Sequence, residues 1–105
     1  MPDRLATLLP AAPLDAFCRR WGIQELSVFG SALRADFRPD SDVDVLVTFL
    51  PHAAWSLWDL ARMEEELGGL VGRRVDLQTR RAIETSRNWM RRDAILGSAR
   101  TIYAR

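Results

Sequence analysis

Lysine is missing from this chain: all fifteen basic residues are arginine. Biased base composition is enough to produce such usage, but its chemical consequence holds either way. A phosphate loop built on a lysine ammonium is excluded, and so is any covalent nucleotidyl-lysine intermediate. Cysteine occurs once, at Cys18, so no disulfide can form within the chain. Leu14, Phe17 and Trp21 surround it at helical spacing, which makes it a small buried hydrophobe rather than a nucleophile or metal ligand. No apolar run approaches the roughly 20 residues that span a bilayer, and no basic segment leads into an apolar signal core. The expectation is a cytoplasmic protein without a membrane partner. Histidine and tyrosine also occur once each, as His52 and Tyr103; His52, beside Pro51, reads as an ordinary loop residue.

What is present fits one small globular unit. A length of 105 residues suits a single domain over 1–105 that buries roughly 60–65% of its unfolded surface. At 48% hydrophobic and 28% charged residues the composition argues against disorder. Charge is uneven along the chain. Met1 to His52 holds five Arg against seven acids, and Ala53 to Arg105 holds ten Arg against seven. Arg73, Arg74, Arg80, Arg81, Arg87, Arg91 and Arg92 make up most of the late excess, either as a solvated face or as a basic surface beside a phosphate site or an acidic partner. Four tryptophans are many for so small a core, so either all are at least half-buried or one serves as an exposed interface anchor.

The pattern predicts α-β-α-β-α-β-α. Pro13 to Trp21 reads as a helix stopped by Gly22. Glu25 to Phe29 reads as a strand, Ala32 to Asp36 as a short helix capped by Ser31, and Asp42 to Phe49 as a second strand closed by Pro51. Ser56 and Asp59 form a capping-box signature for a helix carrying Leu57, Leu60, Met63 and Leu67, with Gly68-Gly69 expected to end it and Glu64, Glu65 and Glu66 expected to face water. Arg74 to Gln78 reads as a third strand, with Val75 and Leu77 on one face and Asp76 on the other. A last helix is predicted over Arg87 to Leu96, and the remaining residues are ambiguous.

The chemistry concentrates between Gly30 and Pro51, GSALRADFRPDSDVDVLVTFLP. Gly30-Ser31 sits where a strand turns into a helix, leaving backbone N–H groups able to bind an anion. Asp42 and Asp44 alternate with Val43, Val45 and Val47, so both carboxylates project from one side of a strand, about 6.6 Å apart along it. That spacing allows splayed carboxylates to share a metal pair. Asp40, Asp42 and Asp44 also open like a calcium loop, but such a loop needs Gly at its sixth position and Glu at its twelfth. Val45 and Pro51 stand there instead. An aspartate-rich turn accounts for Arg38-Pro39-Asp40-Ser41 yet leaves Asp44, inside an apolar run, unexplained; buried paired carboxylates need a cation or a raised pKa. A third strand beside the second would add Asp76 to the pair. Three carboxylates and two Mg²⁺ ions are the arrangement that nucleotidyl transfer uses to neutralise a triphosphate.

At these residues the chain resembles the minimal nucleotidyltransferase family of the DNA polymerase beta-like superfamily. Gly30, Ser31, Arg34, Arg38, Pro39, Ser41, Asp42, Asp44 and Asp76 match its motifs, whereas Ala35 stands where the family often has Gly. The resemblance implies an α+β fold, a small mixed β-sheet with flanking helices. It implies nucleotide binding by Gly30, Ser31, Arg34 and Ser41. It also implies Asp42, Asp44 and Asp76 as catalytic and metal-holding carboxylates, with two Mg²⁺ ions and ATP as substrate. The implied biology is that of an antitoxin which transfers AMP to a hydroxyl, a tyrosine, of a partner HEPN ribonuclease toxin; nucleic acid is not expected as a direct substrate. Two other classes stay open: an antitoxin that masks its partner without catalysis, and an aminoglycoside-type transferase acting on a small molecule. Tyr103 is a candidate slow self-acceptor.

Overall fold

The computed structural model describes residues 11–30 and 42–105. Ser31, Arg34, Ala35, Arg38, Pro39 and Ser41, and the helix expected over 32–36, lie outside them. Within the described residues the elements run α1 (Ala11–Arg20), β1 (Ile23–Phe29), β2 (Val43–Phe49), α2 (Leu57–Val71), β3 (Val75–Thr79), α3 (Arg80–Glu84), α4 (Trp89–Ser98) and β4 (Arg100–Ala104). The strands form one four-stranded sheet in the order β3-β2-β1-β4. β1 pairs antiparallel with β2 and β4, and β2 pairs parallel with β3. The sheet is therefore mixed and the fold α+β, as expected. No helix among the described residues is long and apolar enough to cross a membrane.

The alternation in β2 divides the molecule into two layers. Val43, Val45 and Val47 point to one face, where Leu26, Val28 and Val75 join them and α1 and α2 cover them with Leu14, Phe17, Cys18, Met63 and Leu67. Each fully buried side chain of this size contributes about 1.5–3 kcal/mol. Burial also pushes the Cys18 thiol up to about 12, so it stays protonated and inert, as its neighbours in the sequence imply. The opposite face is apolar only in a small patch, where Phe29 and Leu46 meet Ile83 of α3 and Ile95 of α4. Further along that face a polar cluster takes over. One Glu25 carboxylate oxygen accepts from Arg80 Nη2 at 3.2 Å and from the Thr101 hydroxyl at 3.4 Å, while Arg80 Nε donates to Thr48 at 3.2 Å.

Several elements depart from the sequence expectation for identifiable reasons. Ser56 and Asp59 do form the capping box, with Asp59 N donating to Ser56 Oγ at 3.2 Å and Ser56 N to Asp59 Oδ2 at 2.9 Å. The Ser56 N–H, and with it the Ser56 hydroxyl donating to the same Oδ2 at 3.0 Å, hold the Asp59 carboxyl below its ordinary range. Helix α2, however, continues through Gly68-Gly69 and ends only at Gly72, in the left-handed region at φ 69°. Leu70 and Val71 still pack on the core, so packing carries the helix past a local breaker. Glu64 and Glu66 do not simply face water. Glu64 Oε2 accepts the Leu77 N–H at 2.9 Å, and Glu66 accepts from Trp21 Nε1 at 2.9 Å while pairing with Arg20.

The ambiguous C-terminus is β4. Ile102 and Tyr103 pack against the α1/α2 core, and the Tyr103 hydroxyl is buried with no hydrogen-bond partner among the described residues. That removes Tyr103 as a self-acceptor. Of the tryptophans, Trp58 and Trp89 are 82% and 61% exposed, which favours the interface-anchor reading, while Trp21 and Trp55 stack edge to face at 5.1 Å.

Gly68 and Gly69 make opposite predictions from adjacent positions. A Cβ at Gly68 would sit 2.9 Å from the Arg73 carbonyl oxygen, whereas a Cβ at Gly69 meets nothing within 4 Å. Gly69→Ala should stabilise the fold by up to about 1 kcal/mol through helix propensity, and Gly68→Ala should destabilise it by about 1–3 kcal/mol through overpacking. Urea denaturation of the two variants measures both signs.

Candidate active site

Strand register brings the acidic residues to one end of the sheet. Asp44 is opposite Phe29 on one side and Asp76 on the other, so Asp44 and Asp76 sit on the same face of neighbouring strands with Cα atoms about 4.8 Å apart. Val43 N donates to the Arg74 carbonyl at 2.9 Å, which extends the ladder past the first pair and fixes that register. Asp42 lies one residue before β2 and is exposed, and Asp44 is half-buried. The expectation that both stand inside the strand therefore holds for Asp44 alone. Asp76 is exposed, and its Oδ1 accepts from Gln78 Nε2 at 3.1 Å, which restricts the carboxylate's rotation.

Gly30 ends β1 against this pair. Its φ of 70° lies in the left-handed region, and a Cβ there would collide with the Asp44 carboxylate. Glycine is thus required twice, once for backbone conformation and once for the close approach. The sequence placed Gly30 at a strand-to-helix turn; the structure adds that it is the wall against which Asp44 is seated.

A cleft of about 300 Å³ opens above these residues, lined by Phe29, Gly30, Asp44, Asp76, Arg91, Ala94, Ile95 and Ser98. Helix α4 supplies its far wall through the spacing i, i+3, i+4, i+7, which puts Arg91, Ala94, Ile95 and Ser98 on one side. Asn88 caps the helix by accepting from Arg91 N at 3.1 Å. The sequence offered Arg91 only as one of several late arginines, and it offered Ala94 and Ser98 not at all. Helical spacing from Ile95, a core residue, was the signal that could have found them. The other late arginines do not line the cleft; Arg80, for example, is engaged with Glu25.

No three His, Cys, Asp or Glu side chains among the described residues gather into a complete metal site. The donors present are nevertheless all oxygen. Mg²⁺ commonly takes one or two protein carboxylates and completes its octahedron with water and phosphate oxygens, and the Asp44–Asp76 pair fits that requirement. Two like-charged carboxylates on neighbouring strands repel, so a divalent cation held by both would offset that repulsion.

The family model for the nucleotidyltransferase domain matches residues 13–102. Protein adenylyltransferase MntA of Thermococcus cleftensis is 41% identical over 66 residues, covering 63% of this chain and 65% of that protein. The match thus spans a little under two thirds of that relative's length. A solved structure described as a minimal nucleotidyltransferase superposes with a TM-score of 0.63 at 35% identity and covers 84% of each chain. A crystal structure of a toxin–antitoxin with AMP-PNP superposes with a TM-score of 0.69 at 14% identity, over 92% of this chain and 75% of its own. That last likeness is one of fold.

The Gly30–Asp44 contact yields a coupled prediction. Gly30→Ala should cost at least about 1–2 kcal/mol from the backbone conformation alone, with a further penalty from the carboxylate. In an Asp44→Ala background that further penalty should vanish. Guanidinium denaturation of the two single variants and the double variant reads the coupling; additive losses would mean that the contact does not constrain Asp44.

Proposed function

The chain belongs to the nucleotidyltransferase domain family, and from that membership we propose that it transfers AMP from ATP to a hydroxyl, a tyrosine, of a partner HEPN ribonuclease toxin, neutralising it as a cytoplasmic antitoxin. The observation that carries this reading is the parallel register of Asp44 with Asp76 beside Gly30, facing an open cleft. Asp42 and Asp44 would hold Mg²⁺, with Asp76 shared between metal and acceptor, and Gly30, Ser31, Arg34 and Ser41 would bind the nucleotide. When bound, Mg²⁺ neutralises the triphosphate and lowers the pKa of the acceptor hydroxyl. The Asp76 carboxylate, oriented by Gln78, accepts the proton of that hydroxyl as its oxygen bonds to the α-phosphorus. The bond from the α-phosphorus to the bridging oxygen breaks, pyrophosphate leaves, and Asp76 returns its proton to water.

The acceptor is proposed to come from outside the chain because the one tyrosine has a buried hydroxyl and the described residues form one sheet with its helices, with no second lobe around the cleft. Positioning must then come from docking. Leu57 and Trp58 at the start of α2, and Trp89 and Met90 at the start of α4, are exposed. Such apolar surface suits partner contact and equally supports an antitoxin that neutralises by masking.

Calorimetry with MgATP tests the site. Asp44→Asn keeps the side-chain shape and removes a charge, so MgATP affinity should fall while thermal unfolding stays cooperative; equal affinity for both proteins would refute the metal assignment. Intact-mass spectrometry tests the reaction. The partner toxin incubated with this chain and MgATP should gain one or more AMP units, and none with Asp42→Asn or Asp44→Asn. A toxin neutralised without any mass change, by wild type and variants alike, would establish masking in place of transfer.

A further inference from the structure

Helix α4 faces the carboxylates with one cation. Ile95 is buried between Phe29 and Leu46, and this fixes the rotation of the helix about its axis. One turn earlier, Arg91 is brought to the cleft that Asp44 and Asp76 also line; one turn later, Ser98 lines it too, with Ala94 between them along the helix. Ala94 and Ser98 are short, and the Ser98 hydroxyl is occupied in donating to the Ala94 carbonyl at 2.7 Å. Arg91 is therefore the long polar side chain that α4 offers to whatever enters.

What distinguishes Arg91 among the late arginines is its place in the lining of the cleft. Arg19, Arg20, Arg80 and Arg92 pair with Asp15, Glu66, Glu25 and Asp93. No carboxylate among the described residues pairs with Arg91, although two of them line the same cleft. Arg91, Asp44 and Asp76 all line the cleft of about 300 Å³. A group that bridges them must present anionic oxygens to the arginine and share a cation with the aspartates. A metal-bound polyphosphate has that chemistry. Charge balance points the same way: ATP carries about four negative charges, and the aspartates add to them, so divalent ions alone leave the complex anionic. In a chain without lysine, arginine has to supply the remaining positive charge, and its planar fork can grip two non-bridging oxygens at once.

Building on the nucleotidyl-transfer reading, we infer that Arg91 is a phosphate-binding residue that holds the β- and γ-phosphates of the nucleotide and remains on the pyrophosphate as charge accumulates there. It selects for a triphosphate over a monophosphate at the same carboxylates. A charge-assisted contact of this type corresponds to about a 10- to 100-fold change in affinity.

The test is calorimetric titration of the purified chain, with Mg²⁺ in excess, using ATP and AMP as separate probes. Arg91 is exposed and helical, so Arg91→Ala and Arg91→Lys should both fold, which circular dichroism verifies. Arg91→Ala should weaken ATP binding about 10- to 100-fold and leave AMP binding within about twofold, and Arg91→Lys should recover part of the loss. If wild type and Arg91→Ala bind MgATP equally, the assignment of Arg91 fails while the transfer reading stands. Equal weakening for ATP and AMP would overturn the assignment to the β- and γ-phosphates. If wild type binds no MgATP at all, both readings fail together.

Discussion

Strand β2 has to satisfy opposite demands on its two faces, and the rest of the architecture follows from how it does so. Its valine face lies at the centre of the main core, sealed by α1 and α2. The other face begins with Asp44 and reaches an apolar contact only at Leu46. A sheet covered equally on both sides would bury that carboxylate at a cost of several kcal/mol. The second layer is accordingly thin: α3 is five residues long and α4 ten. The sheet end carrying Asp44, Asp76 and Gly30 is left open as a cleft. The tight layer gives the register its rigidity, and the thin layer gives the carboxylates access.

Rigidity of that register is what converts a pair of aspartates into a site. The parallel pairing of β2 with β3 sets Asp44 beside Asp76, and the left-handed turn at Gly30 presses the end of β1 against the same carboxylate. Neither aspartate's backbone can shift without disturbing a ladder flanked by buried Val43, Val45 and Val75. The backbone positions are thus inherited from the core, and at Asp76 the Gln78 hydrogen bond adds a side-chain constraint.

How much of this was legible beforehand depended on whether the signal was local. The β2 alternation is a period-two pattern, so the assignment of Val43, Val45 and Val47 to one face and Asp44 to the other could be read directly. The capping box and the burial of Cys18 were equally local. The extent of α2 was misread because Gly68-Gly69 resembles a helix stop, and only the tertiary packing of Leu70 and Val71 overrides it. β4 was ambiguous because a five-residue edge strand draws its definition from the neighbour it pairs with, β1, more than 70 residues earlier. Arg91 was visible as a charge but not as a wall of the cleft, since that requires knowing that Ile95 turns inward.

The Glu64 carboxylate that accepts the Leu77 N–H has a consequence for how this chain meets others. β3 is an outer strand of the sheet, and an outer strand with open amides is a template on which a foreign strand can add. Here an incoming strand would have to evict a charged side chain from an amide it already satisfies, and leave that charge without its partner. Sheet extension from the β3 side is therefore discouraged by a side chain lent from a helix. Contacts there are steered toward side chains instead of the backbone.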